Sequence, residues 1–282
     1  MTYHLHAVEK QGFDWAAMSL VVQRLDDGVA LVTLSAEIAR NAFSRESIHT
    51  ISDTLGGLLD DASCKAIVLT GTGRFFCTGA DVGEFADAID DGTIADLVGE
   101  LTGVLHPLQL RLRHDSTIFV AAMNGAAAGG GLGLALTADY RVCVPEARLA
   151  AAFFSLGLSP DGGSTWLLPR LVGGQRARRF FFENDIWTGE QAFEYGAVDE
   201  VVSAEVLLDR AVEVAANWGR WAQVSRQATK QLLDAASTTF METQLEFERV
   251  AITAASLTPD FAEGVSAFLE KREPNFSTAE EE

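Results

Sequence analysis

The chain has 282 residues, 48% of them apolar, which is enough for one large domain or a domain with an appendage. Its 40 acidic and 21 basic residues leave a formal charge of −19, which argues against a nucleic-acid surface and against attraction to anionic lipid. Cys64, Cys77 and Cys143 show no CxxC spacing, and no run reaches the ~20 apolar residues of a membrane helix, so a reduced, cytoplasmic setting without a secretory leader is expected.

Residues 1–17 lack a clear period and read as an N-terminal extension, with His4 and His6 as part of a loose terminus rather than a metal site. The segments 20–25 and 29–34, joined by Asp26-Asp27-Gly28, predict a β-hairpin. Ser44 then caps a helix that carries Ile48, Ile51, Leu55, Leu58 and Leu59 at helical spacing. Residues 66–70 form a short buried strand running into a first glycine-bearing turn, Arg74-Phe-Phe-Cys-Thr-Gly-Ala-Asp81. A helix over 97–112 and an apolar strand over 117–122 follow. The second glycine cluster, Asn124-Gly-Ala-Ala-Ala-Gly-Gly-Gly-Leu-Gly133, opens a helix that ends near Asp139, and residues 140–144 form a strand stopped by Pro145.

Strands apolar on both faces and separated by helices imply an α/β fold with a covered parallel sheet, whose ligands lie outside the strands' carboxyl ends. Both glycine turns fall at such ends. From Gly162 onward strands nearly vanish, and helices break at Gly173-Gly174, at the capping-box sequence Thr188-Gly-Glu-Gln191, and at Thr258-Pro259. We therefore divide the chain into an extension (1–17), an α/β core (18–202) and an all-helical C-terminal region (203–282). The helical region's stripe of Leu207, Leu208, Ala211, Val214 and Trp218 needs a partner surface, either the core or another subunit.

Glycine removes the side chain that would block a ligand, and a helix starting just after such a turn aims free amides and a positive dipole end at it. If the two turns meet, their amides can hold one oxygen from both sides as an oxyanion hole. A dinucleotide site fits less well, because the last glycine of the GxGxxG spacing is replaced by Leu134 or Leu136. The segment Gly162-Gly-Ser-Thr-Trp166 lacks the last glycine of a serine-hydrolase elbow. His49, His106 and His114 show no metal-ligand spacing. Asp161 reads either as an N-cap for a helix starting near Gly162 or as a base desolvated by Phe153, Phe154, Leu158 and Trp166.

These residues together resemble the crotonase, or enoyl-CoA hydratase/isomerase, superfamily. The likeness runs from about Ser19 to Phe276 and includes Asn41-Ala42, both glycine turns, and Phe268-Leu-Glu-Lys-Arg272. It implies stacked ββα units in a spiral core, a helical trimerisation region, and a homotrimer or dimer of trimers. It also implies an acyl-CoA thioester held by the backbone amides of Ala80 and Gly130, with coenzyme A entering only as part of the substrate and no metal or redox cofactor. Arg40, Asn41 and Asp81 are implied near the CoA, and Phe268 and Lys271 of a neighbouring subunit near its nucleotide end; a solvated helix-end lysine is the competing reading of Lys271. Where hydratases of the family carry two glutamates, this chain has Gly133 and Phe153, so ordinary hydration of a 2-enoyl-CoA is not expected. Asp161 matches the working aspartate of the phenylacetyl-CoA-pathway isomerases and of the aryl-CoA dehalogenases, and isomerisation is the preferred reading. Dehalogenation, lyase-type enolate chemistry and an inactive acyl-CoA binder stay open. Glu84 reads either as a second acid or as a solvated residue at a helix start, and the solvated reading is preferred.

Overall fold

The computed structural model describes residues 20–35 and 41–276. The extension with His4 and His6, Arg40 and the acidic end at 280–282 lie outside the described residues. In chain order the elements are β1 (Leu20–Arg24), β2 (Val29–Leu34), α1 (Arg45–Asp60), β3 (Ala66–Gly71), β4 (Phe75–Cys77), α2 (Val82–Asp90), α3 (Ile94–His114), β5 (Ile118–Met123), β6 (Ala126–Ala128) and α4 (Gly130–Thr137). There follow β7 (Tyr140–Cys143), β8 (Arg148–Ala150), α5 (Ser164–Val172), α6 (Gly174–Phe182), β9 (Ile186–Thr188), α7 (Gly189–Glu194), β10 (Glu200–Val201), α8 (Leu207–Gly219), α9 (Gln223–Ala236), α10 (Met241–Ala255) and α11 (Pro259–Glu270).

The hairpin forms as the sequence predicts, with Leu20 opposite Leu34 and Arg24 opposite Ala30. Ser44 caps α1 by a reciprocal capping box with Ser47, and Ile48, Ile51, Leu55, Leu58 and Leu59 form its buried stripe. Thr188 and Gln191 make the second predicted capping box at α7. Two sheets result. The larger has the order β1-β2-β3-β5-β7-β10, parallel from β2 onward. The smaller has the order β4-β6-β8-β9, parallel except at β9.

The chain passes from the larger sheet to the smaller three times, as β3 to β4, β5 to β6 and β7 to β8, each time continuing into a helix. This is the repeated ββα unit. Strands β3 and β5 are buried along almost their whole length, as two-sided apolar runs require. Across them lies α8, which packs on β2, β3 and β5 with Leu207, Ala211, Val214 and Ala215 buried. Its stripe therefore finds the core, while Trp218 meets the Tyr140 ring edge-on at 5.4 Å.

The next helix docks through two buried cations. Lys230 Nζ donates to the carbonyls of Leu112 and Thr117 and to Asp139 Oδ2, at 2.7–2.9 Å. Arg226 donates to the carbonyls of Lys65 and Ser116. All these acceptors sit at element ends, where backbone carbonyls or a carboxylate need a donor once water is excluded.

Candidate active site

Every parallel strand of the larger sheet delivers its chain to the same side, which brings the two glycine turns together. After β4 the chain bends at Gly79, whose φ of 78° favours glycine. A β-carbon there would lie 2.9 Å from the Gly130 nitrogen and 2.9 Å from the Ala128 oxygen. Only a glycine lets the turns approach this closely. The Phe43 amide donates to Gly79 O at 2.7 Å and the Asp81 amide to Phe43 O at 2.9 Å, a parallel bridge centred on Ala80. Such a bridge uses the groups on either side of Ala80 and turns the Ala80 amide to the opposite edge.

Gly130 begins α4 directly after Gly129, so its amide is among the first-turn donors that the helix itself cannot satisfy. Ala80 and Gly130 thus present their amides in neighbouring turns. Around them lie aromatic and aliphatic walls. A β-carbon at Gly130 would meet the Phe43 ring at 3.3 Å and Leu105 at 3.4 Å, and the Phe153 ring approaches Gly129. Phe153, one of the two hydratase-glutamate positions, is only 7% exposed. Leu105 comes from α3.

Gly133, the other position, lies one turn along α4. A β-carbon there would stand 2.3 Å from the Gly162 oxygen, so the space a glutamate would need is filled by the backbone of the Asp161 turn. Gly162 in turn rests on the α-carbons of Gly130 and Gly133. Asp161 is therefore one residue from the contact with Gly130. Its side chain is half-buried, and burial raises its carboxyl pKa while the His106 imidazole nearby pulls it back.

The capping reading of Asp161 does not hold. α5 starts at Ser164 behind Gly163, with no side-chain cap, and it is the Asp161 carbonyl that accepts from the Ser164 amide (3.1 Å) and hydroxyl (2.7 Å). Two consecutive glycines at positive φ, Gly162 and Gly163, delay the helix and leave the carboxylate unattached to it.

The implied CoA residues divide differently. Asn41 is turned inward: its amide donates to Phe75 O (2.7 Å) and Thr72 O (3.3 Å), clamping the β3–β4 turn from a positive φ of 56°. Asp81 caps α2 by accepting from the Gly83 amide at 2.7 Å. Both side chains serve the turn that carries Ala80. Arg40 lies outside the described residues. Phe268, 83% exposed, is on α11 and Lys271 follows it as a left-handed C-cap; within one chain neither joins the cluster. Glu84 is not simply solvated, since its carboxylate accepts from the Arg45 amide at 2.9 Å.

The three cysteines are buried and free, and burial lifts Cys64 to about 11 and Cys77 and Cys143 to about 12, so none is a ready nucleophile. Among the described residues no group of three potential metal ligands occurs, and no helix is long and apolar enough to cross a membrane. Two closely packed glycine turns, apolar walls and a carboxyl whose pKa is raised by burial suit proton transfer next to a carbonyl.

Comparison with known proteins agrees with this geometry. The sequence profile described as Enoyl-CoA hydratase/isomerase matches residues 24–279. The chain is 34% identical over 260 residues to the 1,2-epoxyphenylacetyl-CoA isomerase of Escherichia coli, covering 92% of this chain and 99% of that protein. It is 33% identical over 259 residues to the 2,3-dehydroadipyl-CoA hydratase of the same organism, with the same coverage of 92% and 99%. Among solved structures, an enoyl-CoA hydratase/isomerase from Mycobacterium abscessus superposes with a TM-score of 0.84 at 30% identity, covering 92% of this chain and 99% of that one.

Proposed function

Since the chain belongs to the enoyl-CoA hydratase/isomerase family, we propose that it moves a double bond along an enoyl-CoA thioester, with Asp161 as the base and the Ala80 and Gly130 amides as the oxyanion hole. The carbon–hydrogen bond at C2 of a 3-enoyl thioester breaks, its proton passes to the Asp161 carboxylate, and the electron pair flows into the carbonyl. The dienolate oxygen takes the two amide hydrogen bonds. Asp161 then returns the proton to C4, leaving the 2-enoyl isomer and a regenerated carboxylate. Coenzyme A is part of the substrate, and the reaction calls for neither metal nor redox group.

The observation that carries this reading is the Gly162 carbonyl lying where a side chain at Gly133 would be. Together with Phe153 it removes both places from which a second acid could position water, and it leaves Asp161 as the titratable side chain set against the Gly130 turn. The likeness to a 1,2-epoxyphenylacetyl-CoA isomerase supports it further. Losing one oxyanion donor typically costs about 10²–10³ in rate, so the arrangement of these turns matters as much as the base. We also propose that the chain works as a homotrimer or a dimer of trimers.

The test is incubation of the protein with 3-enoyl-CoA and 2-enoyl-CoA esters in deuterated water, beside Asp161→Asn. Double-bond migration is expected for the native protein and should fall by at least about 10²-fold in the variant, and the deuterium found at C4 measures how far the proton on Asp161 exchanges with solvent before its return. Migration that persists in Asp161→Asn overturns the assignment of the base, and release of chloride from a haloaryl-CoA would place the carboxylate as a nucleophile instead.

A further inference from the structure

We propose that Gln109 is a positioning residue, holding the Asp161 turn in register with α4, the helix that opens at Gly130, so that base and oxyanion amide keep a fixed separation; this deepens the isomerase reading and rests on it. Gln109 is a polar residue in the buried stripe of α3, among Leu101, Leu105, Leu108 and Leu112, and is only 7% exposed. An amide buried there is costly unless its hydrogen bonds are made. Nε2 makes two: to Gly162 O at 2.8 Å and to Thr137 Oγ1 at 2.9 Å. Because the Thr137 hydroxyl accepts that hydrogen, its own goes to Gly133 O at 2.9 Å. One side chain thus ties the Gly162 carbonyl directly to Thr137 and, through its hydroxyl, to Gly133 of α4.

The tie has something to hold. Gly162 and Gly163 are consecutive glycines at φ of 59° and 69°, with no side chains of their own to pack, so their peptide is freer than any other pair in this part of the chain would be. Ser164 fixes the Asp161 carbonyl from the helix side. Gln109 fixes the next carbonyl from α3, the helix that also sets Leu105 against Gly130 and His106 near Asp161. His106 is the side chain whose field lowers the Asp161 carboxyl pKa. A displacement of about 1 Å in a reacting group can cost about 10²-fold in rate, so a single hydrogen bond that pins this turn is worth a measurable factor in turnover.

The test compares Gln109→Met, which keeps the volume and loses both donors, with Gln109→Glu, which keeps the shape and cannot donate as a carboxylate, and with Thr137→Val, which leaves the Gly162 bond in place. Two readouts are taken on the full chain: steady-state isomerisation of a 3-enoyl-CoA, and titration of the Asp161 carboxyl by carbon-13 NMR, assigned with Asp161→Asn. For both Gln109 variants kcat is expected to fall by about tenfold or more with KM little changed; in Gln109→Met the Asp161 midpoint moves down toward an ordinary carboxylate as the turn loosens into water, whereas the added negative charge of Gln109→Glu opposes that shift. Thr137→Val, which removes the α4 end of the tie and leaves the Gly162 end, should lower kcat by a smaller factor than either Gln109 variant. Gln109 variants that melt earlier but keep the native kcat and Asp161 titration overturn the proposal. A native protein that turns over no enoyl-CoA sinks the isomerase reading instead, and the titration alone then decides the role of Gln109.

Discussion

Burial raises the Asp161 carboxyl pKa and His106 only partly offsets it, so the fold holds the protonated acid more comfortably than the carboxylate. The stabilisation from that proton is complete below the ordinary carboxylate range and is lost as pH rises through the raised native value. Asp161→Asn cannot ionise and keeps it. The variant is therefore expected to match the native protein in melting temperature below about pH 4 and to exceed it at pH 8, even as isomerisation disappears; equal melting temperatures at both pH values would mean that the carboxyl is fully hydrated. Gly133 gives the opposite case. Adding a glutamate there puts a β-carbon 2.3 Å from a backbone oxygen of the Asp161 turn, and the turn has to move. Gly133→Glu, alone or with Phe153→Glu, is predicted to lose about 1–3 kcal/mol in urea unfolding and to gain no hydration of crotonyl-CoA. A hydratase site cannot be rebuilt here by restoring side chains, because the backbone already occupies their place.

Lys230 links α9 to α3, β5 and the end of α4 through Leu112, Thr117 and Asp139. Replacing it with methionine keeps most of the packing and strands a buried carboxylate beside two unsatisfied carbonyls, so Lys230→Met is expected to cost about 3–5 kcal/mol. Pairing it with Asp139→Asn should recover part of that loss, which a double-mutant cycle in denaturant measures. Elements of this kind were unevenly legible in the sequence. Strands β3 and β5 of the larger sheet stand out because they are apolar on both faces and run into glycine-bearing turns, and the caps at Ser44 and Thr188 because their chemistry is local. Strands of three residues such as β4, β6 and β8 have no period to read, and their pairing exists only once the larger sheet has brought them together. The capping reading of Asp161 failed for a related reason: whether Gly162 starts a helix or a turn depends on the packing against Gly130 and Gly133, which lie far away along the chain. A glutamine within the leucine stripe of α3 was the one local signal of the tie between α3 and the Asp161 turn, visible in the periodicity but without meaning until its acceptors were in place.

At the scale of the molecule, apolar surface is distributed unequally. The core closes over β2, β3 and β5 with α8, yet α10 has no buried residue and exposes Leu245, Phe247, Val250 and Ile252. α11 exposes Phe261, Val265, Phe268 and Leu269. An apolar face of that extent on a chain carrying a formal charge of −19 is costly in water, and like charges elsewhere on the surface keep copies apart unless this face brings them together. The proposed trimer is expected to appear in light scattering as three chains of 30.3 kDa, and to weaken at low ionic strength, where the charges of neighbouring chains are least screened. Phe268→Asp with Leu269→Asp should dissociate it. If Phe268 and Lys271 serve the CoA site of an adjacent subunit, as the resemblance implies, the dissociated variant will fold with an unchanged circular dichroism spectrum, keep its Asp161 titration, and show a raised KM for the thioester. A dissociated monomer with the native KM would separate assembly from substrate binding and confine the CoA site to a single chain.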